Sequence, residues 1–408
     1  MDVMERTGRG AVDGLALART LTAVALKATN GEELLAAFGR ALNDAGVPVS
    51  RVSVAWRALH PLIYAKFINW RDDGALAGGE MTHEAAAHRD GAHSVLRHVV
   101  ENELTFYRAD LRPPAQPFDL LRELRGEGHT DYVASIAKFG GAHIDHGVMR
   151  GVFFSFCTRA PDGFDDAAID AVLNLLPTLA LGFRSIIEMA MGEALAATYL
   201  GPLAAERVLG GAIRRGDAEV IPAAIWYSDM RAFTPLAEEV PLDETIGFLN
   251  EVFEATAGAV GDAGGQVLDF IGDAVLGIFP IQDDGLRRAL GALDDSLQRL
   301  TALRSRVLSG DAPPAMKATA REGLVGIALA VGDVRFGNIG TPRRLSFSVI
   351  GPTVNMVARI EALTKMLREP VLVSAPVADL APDRFVLRGA FNLEGVRDRR
   401  ALYGLAKR

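Results

Sequence analysis

The stretch that decides the fold is residues 347–361, which read FSVIGPTVNMVARIE. We take the residues that follow its Gly-Pro pair as a helix. Asn355 and Arg359 are four residues apart, so on this helix their side chains point the same way and can reach one ligand. The alternative is a surface ion pair for Arg359, for example with Glu361.

Two aspartates upstream of this stretch lie at the ends of further strands. Residues 223–234 read AAIWYSDMRAFT, an apolar strand that delivers Asp229 into a turn before a helix. Residues 264–276 read GGQVLDFIGDAVL, two strands joined tightly at Gly272 and Asp273. Carboxylates on neighbouring strands can hold two hard cations about 3.5–4 Å apart, as in two-metal phosphoryl chemistry. Taken singly, each aspartate is also a common turn residue.

Together with residues 335–340, RFGNIG, these segments resemble the signature motifs of class III nucleotidyl cyclases, in the family's order, over roughly residues 223–403. The resemblance implies a ferredoxin-like α+β catalytic domain. It implies conversion of a nucleoside triphosphate to its 3′,5′-cyclic monophosphate and pyrophosphate, with two Mg²⁺ or Mn²⁺ ions as cofactors.

The resemblance also implies roles for individual residues. Asp229 and Asp273 bind the metal ions, Asn355 orients the ribose, and Arg359 stabilises charge on the α-phosphate as pyrophosphate leaves. The implied substrate-binding residues are Phe233, Thr234, Gly272, Asp269 and Ser348. The family builds its site between two catalytic domains and this chain has one. A head-to-tail homodimer with two shared active sites is therefore implied.

The base-reading positions leave the choice of nucleotide open. Asp269 stands where adenine-specific members carry a Lys, which can donate a hydrogen bond to adenine N1, whereas an aspartate accepts and so suits the N–H edge of guanine. Ser348 is compatible with adenylate cyclases. The alternative is that Asp269 faces solvent or a neighbouring arginine and reads no base. We expect ATP to be favoured and GTP to be next.

Two further positions depart from the family pattern near the phosphates. Glu394 stands where many relatives place a Lys for the terminal phosphates, and it would repel them. An arginine from the following loop would have to compensate; the candidates are Arg397, Arg399 and Arg400. Ala232 replaces the usual Gly in the phosphate-facing turn and adds a Cβ where the backbone must approach closely. Asp269 and Glu394 favour the alternative of a degenerate module that binds nucleotide or dimerises without turnover, whereas the retained Asp229, Asp273, Asn355 and Arg359 favour the enzyme.

The N-terminal half predicts a different α+β domain. An amphipathic helix over residues 15–45 precedes strands near residues 52–56, 63–70, 131–139 and 149–158, and a closing helix follows from Asp165. This order resembles GAF or PAS sensor domains. We expect a flexible N-terminus over residues 1–14, a GAF-like sensor over 15–187, a linker helix over 188–218 and the catalytic domain over 219–408. The sensor's small-molecule or protein input is unknown.

Composition excludes several other classes of protein. The chain has 408 residues, is 49% hydrophobic and carries a formal net charge of −8, which argues against a nucleic-acid partner. Its single cysteine, Cys157, permits no intramolecular disulfide and no cysteine-rich zinc site. The most apolar stretch, residues 172–200, is interrupted by charges and a proline, so we expect no membrane span and a cytoplasmic location.

Overall fold

A computed structural model describes residues 14–88, 94–140, 151–282 and 284–406. The chain divides into two compact units, Met1–Leu195 and Ala196–Arg408. Each unit combines helices with one β-sheet, which confirms the mixed α+β class predicted from the sequence. Apart from Gly14, the predicted flexible N-terminus lies outside the described residues.

The first unit is an antiparallel sheet between two layers of helices. Its helices are α1 Gly14–Ala25, α2 Gly31–Asp44, α3 His83–His88, α4 Val95–Glu101, α5 Asp119–Gly126 and α6 Asp166–Leu200. Its strands are β1 Arg51–Arg57, β2 Ile63–Arg71, β3 Leu76–Thr82, β4 Phe106–Asp110, β5 Asp131–Lys138 and β6 Gly151–Thr158. The strand order is β3-β2-β1-β6-β5-β4.

Strand β6 shows why this sheet is covered on both faces. Phe154 and Phe156 point into a core shared with α1, α2 and α6, whereas Phe153 and Cys157 point into a second core with α4 and α5. Side chains alternate between faces along a strand, so an almost continuous apolar run requires two covers. Burial raises the pKa of Cys157 to about 11, which leaves an unreactive thiol.

The helix predicted over residues 15–45 is wrong in one respect, because it consists of two helices. The first helix ends at Ala25, and Asn30 caps the second helix by accepting a hydrogen bond from the Glu33 amide at 2.9 Å. A capping asparagine satisfies an amide that an uninterrupted helix would have bonded internally.

Helix α6 is long and apolar enough to cross a membrane, judged by length and composition alone. Half of its most apolar window is buried, and residues from Val172 to Phe183 pack into the first unit's core. That packing accounts for the apolar character of the buried half, as in the core helix of a folded domain.

The second unit is a mixed sheet flanked by helices. Its helices are α7 Pro202–Leu209, α8 Phe233–Glu239, α9 Leu242–Phe253, α10 Ala259–Asp262, α11 Gly285–Ser309, α12 Pro314–Arg321, α13 Pro352–Leu367 and α14 Ala375–Ala378, with a π-helical turn at Glu254–Gly258. Its strands are β7 Ala218–Met230, β8 Gln266–Ile271, β9 Ala274–Pro280, β10 Val325–Thr341, β11 Arg344–Ile350, β12 Val371–Ser374, β13 Phe385–Phe391 and β14 Arg400–Leu405.

Four strands of this sheet form a βαββαβ arrangement. Their spatial order is β10-β7-β9-β8. The sheet continues beyond β10 with β12, β14 and β13, and β11 pairs with β10 as a hairpin. Trp226 faces a core with α9, α11 and α12, and its neighbour Ile225 faces a core with α13. Helix α13 therefore covers the opposite side of the sheet from α9, α11 and α12.

The predicted linker helix over residues 188–218 is not continuous. Helix α6 ends at Leu200, Gly201 takes a positive φ of 80°, and Pro202 starts α7. Buried Gln266 secures this break, since its side-chain oxygen accepts from the Leu203 amide at 2.8 Å and its nitrogen donates to the Leu200 carbonyl at 3.1 Å. A proline that lacks an N–H suits the first position of a new helix but interrupts a continuing one.

Gly310, Pro313 and Pro314 predict a surface loop over residues 309–319, and the observed loop is shorter. Helix α11 ends at Ser309 and α12 begins at Pro314, so only the residues between them form a loop. The two prolines that indicated a loop stand before and at the first turn of α12, where proline is tolerated.

Candidate active site

Antiparallel pairing brings the two predicted metal-binding aspartates together, and we call Asp229 and Asp273 the carboxylate pair. Strand β7 pairs with β9 in a register that places Ser228 opposite Val275. The β8–β9 turn, with Gly272 at a φ of 66°, therefore carries Asp273 next to the end of β7. Contrary to expectation, Asp229 lies in the strand and not in the turn, because β7 extends to Met230.

The electrostatics of the carboxylate pair reflect burial and mutual repulsion. Burial, followed by repulsion from Asp273, raises the pKa of Asp229 to about 6. Burial also raises the pKa of Asp273, although hydrogen bonds with its own backbone amide, with the Asp229 side chain and with the Met230 amide oppose that rise. Two half-buried carboxylates that repel each other are stabilised by a bound cation, so this donor set fits Mg²⁺ or Mn²⁺.

The carboxylate pair supplies only part of a coordination shell. In the described ranges, no group of three or more His, Cys, Asp or Glu side chains is arranged to hold a metal ion. The remaining ligands of a hard, six-coordinate cation would then come from backbone, water or phosphate oxygens.

The turn after Asp229 is strained. Ala232 adopts a left-handed conformation with φ 52° and ψ 35°, a region that glycine enters without the steric cost that alanine bears. Phe233 follows at the start of α8, half-buried against the core, and Thr234 is exposed. The position where the sequence departs from a Gly is thus one where the backbone favours a Gly.

Asn355 and Arg359 lie together on α13, as their spacing predicts, and line an open cleft of about 1050 Å³ that we call the α13 cleft. The Arg359 Nη2 lies 3.7 Å from the Glu394 Oε2, and both side chains are largely exposed, at 53% and 84%. The ion pair predicted as an alternative for Arg359 therefore exists, but its partner is Glu394 and not Glu361.

Two of the three arginines considered as phosphate ligands also line the α13 cleft. Arg397 and Arg400 are among the cleft residues. Arg399 instead donates to the Ala390 carbonyl. The carboxylate pair is not among the described residues that line this cleft.

The two base-reading candidates lie on strands that contact each other. Asp269 is exposed on β8, and Ser348 is half-buried on β11 opposite Gly337. Strands β8 and β11 are in contact, which places both residues at one edge of the unit. Within the described chain, Asp269 forms no ion pair with an arginine.

Sequence reasoning missed a buried polar cluster beneath Asp229. Glu361 is 6% exposed, Arg231 is 7% exposed and Thr364 is fully buried. Burial, followed by repulsion from Asp229, raises the pKa of Glu361 to about 7. The available signal was spacing: Glu361 and Thr364 are three apart and follow Ile360 on the buried side of α13, away from Arg359.

Comparison with known proteins points to cyclases. No protein-family model matches the chain. An adenylate cyclase of Anabaena cylindrica is 30% identical over 183 residues, which cover 43% of this chain and 34% of that protein. The terminal-differentiation-specific adenylate cyclase of Dictyostelium discoideum is 29% identical over 176 residues, covering 42% of this chain and 8% of that protein.

Solved structures of similar proteins carry related names. A guanylyl cyclase is 26% identical, with a TM-score of 0.39, over 46% of this chain and 93% of that structure. A bacterial light-regulated adenylyl cyclase is also 26% identical, with a TM-score of 0.39, over 46% of this chain and 91% of that structure. The chain spans only about a third or less of the length of the two curated relatives, and it is similar in sequence to both.

Proposed function

We propose that this chain is a nucleotidyl cyclase that converts a nucleoside triphosphate, ATP first and GTP next, to the 3′,5′-cyclic monophosphate and pyrophosphate. The observation that carries the proposal is the proximity of Asp229 and Asp273, with Asn355 and Arg359 presented on a separate cleft of the same unit. Sequence similarity to adenylate cyclases supports it.

In this proposal Asp229 and Asp273 hold two Mg²⁺ or Mn²⁺ ions. Bound there, the cations would supply positive charge that lowers the pKa of the ribose 3′-hydroxyl and neutralises the phosphates. Asn355 orients the ribose so that its 3′-oxygen attacks the α-phosphorus. The hydroxyl proton passes to solvent, the bond from that phosphorus to the bridging β-phosphate oxygen breaks, and pyrophosphate leaves. Arg359 stabilises the charge that develops on the α-phosphate, because its guanidinium is planar and permanently charged. Phe233, Thr234 and Gly272 contact the nucleotide near the phosphates; the base is read by Asp269 and Ser348.

The assembly proposed is a head-to-tail homodimer with two shared sites. The separation of the carboxylate pair from the α13 cleft within one chain supports it, since a partner subunit would bring the missing half to each. The first unit acts as a GAF-like sensor of an unidentified small-molecule or protein input. Its order of helices, antiparallel strands and closing helix supports that assignment.

One observation favours a second function, a degenerate module that binds nucleotide or dimerises without turnover. Glu394 places a negative charge 3.7 Å from Arg359, where phosphates would bind. The two functions differ in whether product forms.

The deciding experiment incubates the purified chain with Mn²⁺ or Mg²⁺ and each of ATP, GTP, CTP and UTP, and identifies products by mass spectrometry. We expect cyclic AMP as the main product and cyclic GMP as the next. Asp269→Lys should shift the ratio toward ATP by at least about tenfold, because a lysine donates to adenine N1, whereas Asp269→Asn should not. Nucleotide binding without any cyclic product would establish the degenerate module instead.

A further inference from the structure

The backbone opposite Asp229 is crowded by three polar side chains. Asp229 pairs with Gly326 across strands β7 and β10. A Cβ at Gly326 would collide with Thr364 Oγ1 and Glu361 Oε1 and would lie 2.7 Å from Arg231 Nη2. Only a glycine leaves room for this convergence, which joins the end of β7 to helix α13.

Hydrogen bonds hold the Arg231 guanidinium to α13 and the segment after it. Its Nη2 donates to Thr364 Oγ1 at 2.7 Å and to the Glu369 carbonyl at 3.3 Å. The Thr364 hydroxyl in turn donates to Glu361 Oε1 at 3.0 Å. One buried hydroxyl therefore accepts from the cation and donates to the carboxylate, with each of its roles satisfied.

The position of Arg231 relative to Asp229 makes this tether consequential. Arg231 directly follows β7, two residues after Asp229, and its guanidinium reaches the same backbone position, Gly326, that pairs with Asp229. A buried guanidinium so placed would ordinarily form an ion pair with the nearby carboxylate. Within the described chain no ion pair within 4.0 Å joins them, and the hydrogen bonds of Arg231 lead toward α13.

We infer that Thr364 and Glu361 are positioning residues that anchor Arg231 to α13 and thereby keep the Asp229 carboxylate free to bind a divalent cation. The inference rests on the proposed function and deepens it. An arginine paired directly with Asp229 would neutralise the carboxylate and compete with the cation for it.

The test compares Thr364→Val, which is close in shape but lacks the hydroxyl, with Thr364→Ser, which keeps it. Binding of Mn²⁺ alone to the full chain is measured by electron paramagnetic resonance of the free ion, with thermal melting to verify folding. We expect the dissociation constant for Mn²⁺ to rise at least about tenfold in Thr364→Val and to stay within about threefold of the wild type in Thr364→Ser.

A double variant distinguishes positioning from a merely structural role. If the released Arg231 forms an ion pair with Asp229, then Arg231→Gln in the Thr364→Val background should restore Mn²⁺ affinity. If Arg231 has only a structural role, the second substitution should lower Mn²⁺ affinity further. Equal Mn²⁺ affinity in the Val and Ser variants, or a double variant weaker than Thr364→Val, overturns the inference. Should Thr364→Val fail to fold, Arg231→Gln alone decides, because a loss of Mn²⁺ affinity in that variant contradicts the inference.

The outcomes also separate this inference from the proposed function. A wild-type chain that binds Mn²⁺ but forms no cyclic nucleotide overturns the proposed function, while the comparison of Thr364 variants still tests the tether. A wild-type chain that forms product, with Thr364→Val unchanged in Mn²⁺ affinity, overturns only the tether. A wild-type chain without Mn²⁺ affinity overturns both.

Discussion

The carboxylate pair and the α13 cleft belong to the same unit but differ in how completely one chain builds them. The pair is half-buried, burial raises the pKa of both carboxylates, and a buried polar cluster lies close to Asp229. The cleft is open, and its arginine is more than half exposed beside an exposed glutamate. In the proposed homodimer, the carboxylate pair of one subunit would face the cleft of the other.

The strongest test of this difference is to inactivate the carboxylate pair and the α13 cleft separately. We expect Asp273→Ala and Arg359→Ala each to lose about 10³-fold or more of cyclase activity as homodimers. Mixing the two should restore about a quarter of wild-type activity, because half of the dimers are mixed and each keeps one intact site. Product formation in verified mixed dimers is the measurement.

The control for this mixing experiment is Asp311→Ala, in the exposed loop before α12, which should retain activity alone and in mixtures. Mixed dimers that remain inactive would contradict the separation of the halves between subunits.

The glutamate in the α13 cleft offers a sharper probe of that cleft. Glu394→Lys should lower the KM for the nucleoside triphosphate by about fivefold, because it converts repulsion of the phosphates into attraction and releases Arg359. Glu394→Gln should have a smaller effect in the same direction. Steady-state kinetics at fixed ionic strength measure both.

Asp379→Lys makes the same charge change at an exposed position of the same unit and should leave the KM within about twofold. An unchanged KM in Glu394→Lys would show that Glu394 does not face the phosphates.

Strain beside the carboxylate pair predicts an effect on stability. Ala232→Gly should raise the free energy of unfolding by up to about 1 kcal/mol, because the left-handed conformation costs alanine more than glycine. Ala237→Gly, at an exposed position within α8, should lower it by about 0.5–1 kcal/mol. Chemical denaturation measures the free energy of unfolding of both variants. A change in the same direction in both would contradict this prediction.

The smallest effect concerns the pH dependence of stability in the metal-free protein. The folded-state pKa of Asp229, about 6, lies above its ordinary value of 3.8. The unfolded chain therefore loses this proton at lower pH than the folded chain does, and stability falls as pH rises from about 4 to about 6. Asp229→Asn should flatten that fall, measured by melting temperature against pH in the presence of EDTA. An identical slope in the variant would contradict the raised pKa of Asp229.

Much of the site was predictable because its residues lie in ordered motifs. The strand–turn pattern around Asp229 and the tight hairpin at Asp273 predict their proximity, since neighbouring antiparallel strands bring a turn beside a strand end. The spacing of Asn355 and Arg359 predicts their shared helix face. Each of these relations depends on local sequence or on a single strand pairing.

The parts that sequence reasoning missed depend on contacts between distant segments. The role of Glu361 follows from the space that Gly326 leaves on another element, which no local pattern encodes. The break at Gly201 and Pro202 did carry a local signal, a Gly-Pro pair, but the apolar run around it indicated a continuous helix. The ion-pair partner of Arg359 is Glu394, which lies on a loop distant in sequence that folds against α13.

The hydrogen bonds from Gln266 to the helix break connect two positions that are distant in sequence, Gly201 and Gln266. A Cβ at Gly201 would overlap the Gln266 amide, and removing that amide would leave the Leu203 N–H and Leu200 carbonyl without this partner. Neither residue can be exchanged alone without cost to the other. In related proteins that keep this junction, the positions of Gly201 and Gln266 should covary. A substitution at either should be accompanied by a compensating change at the other.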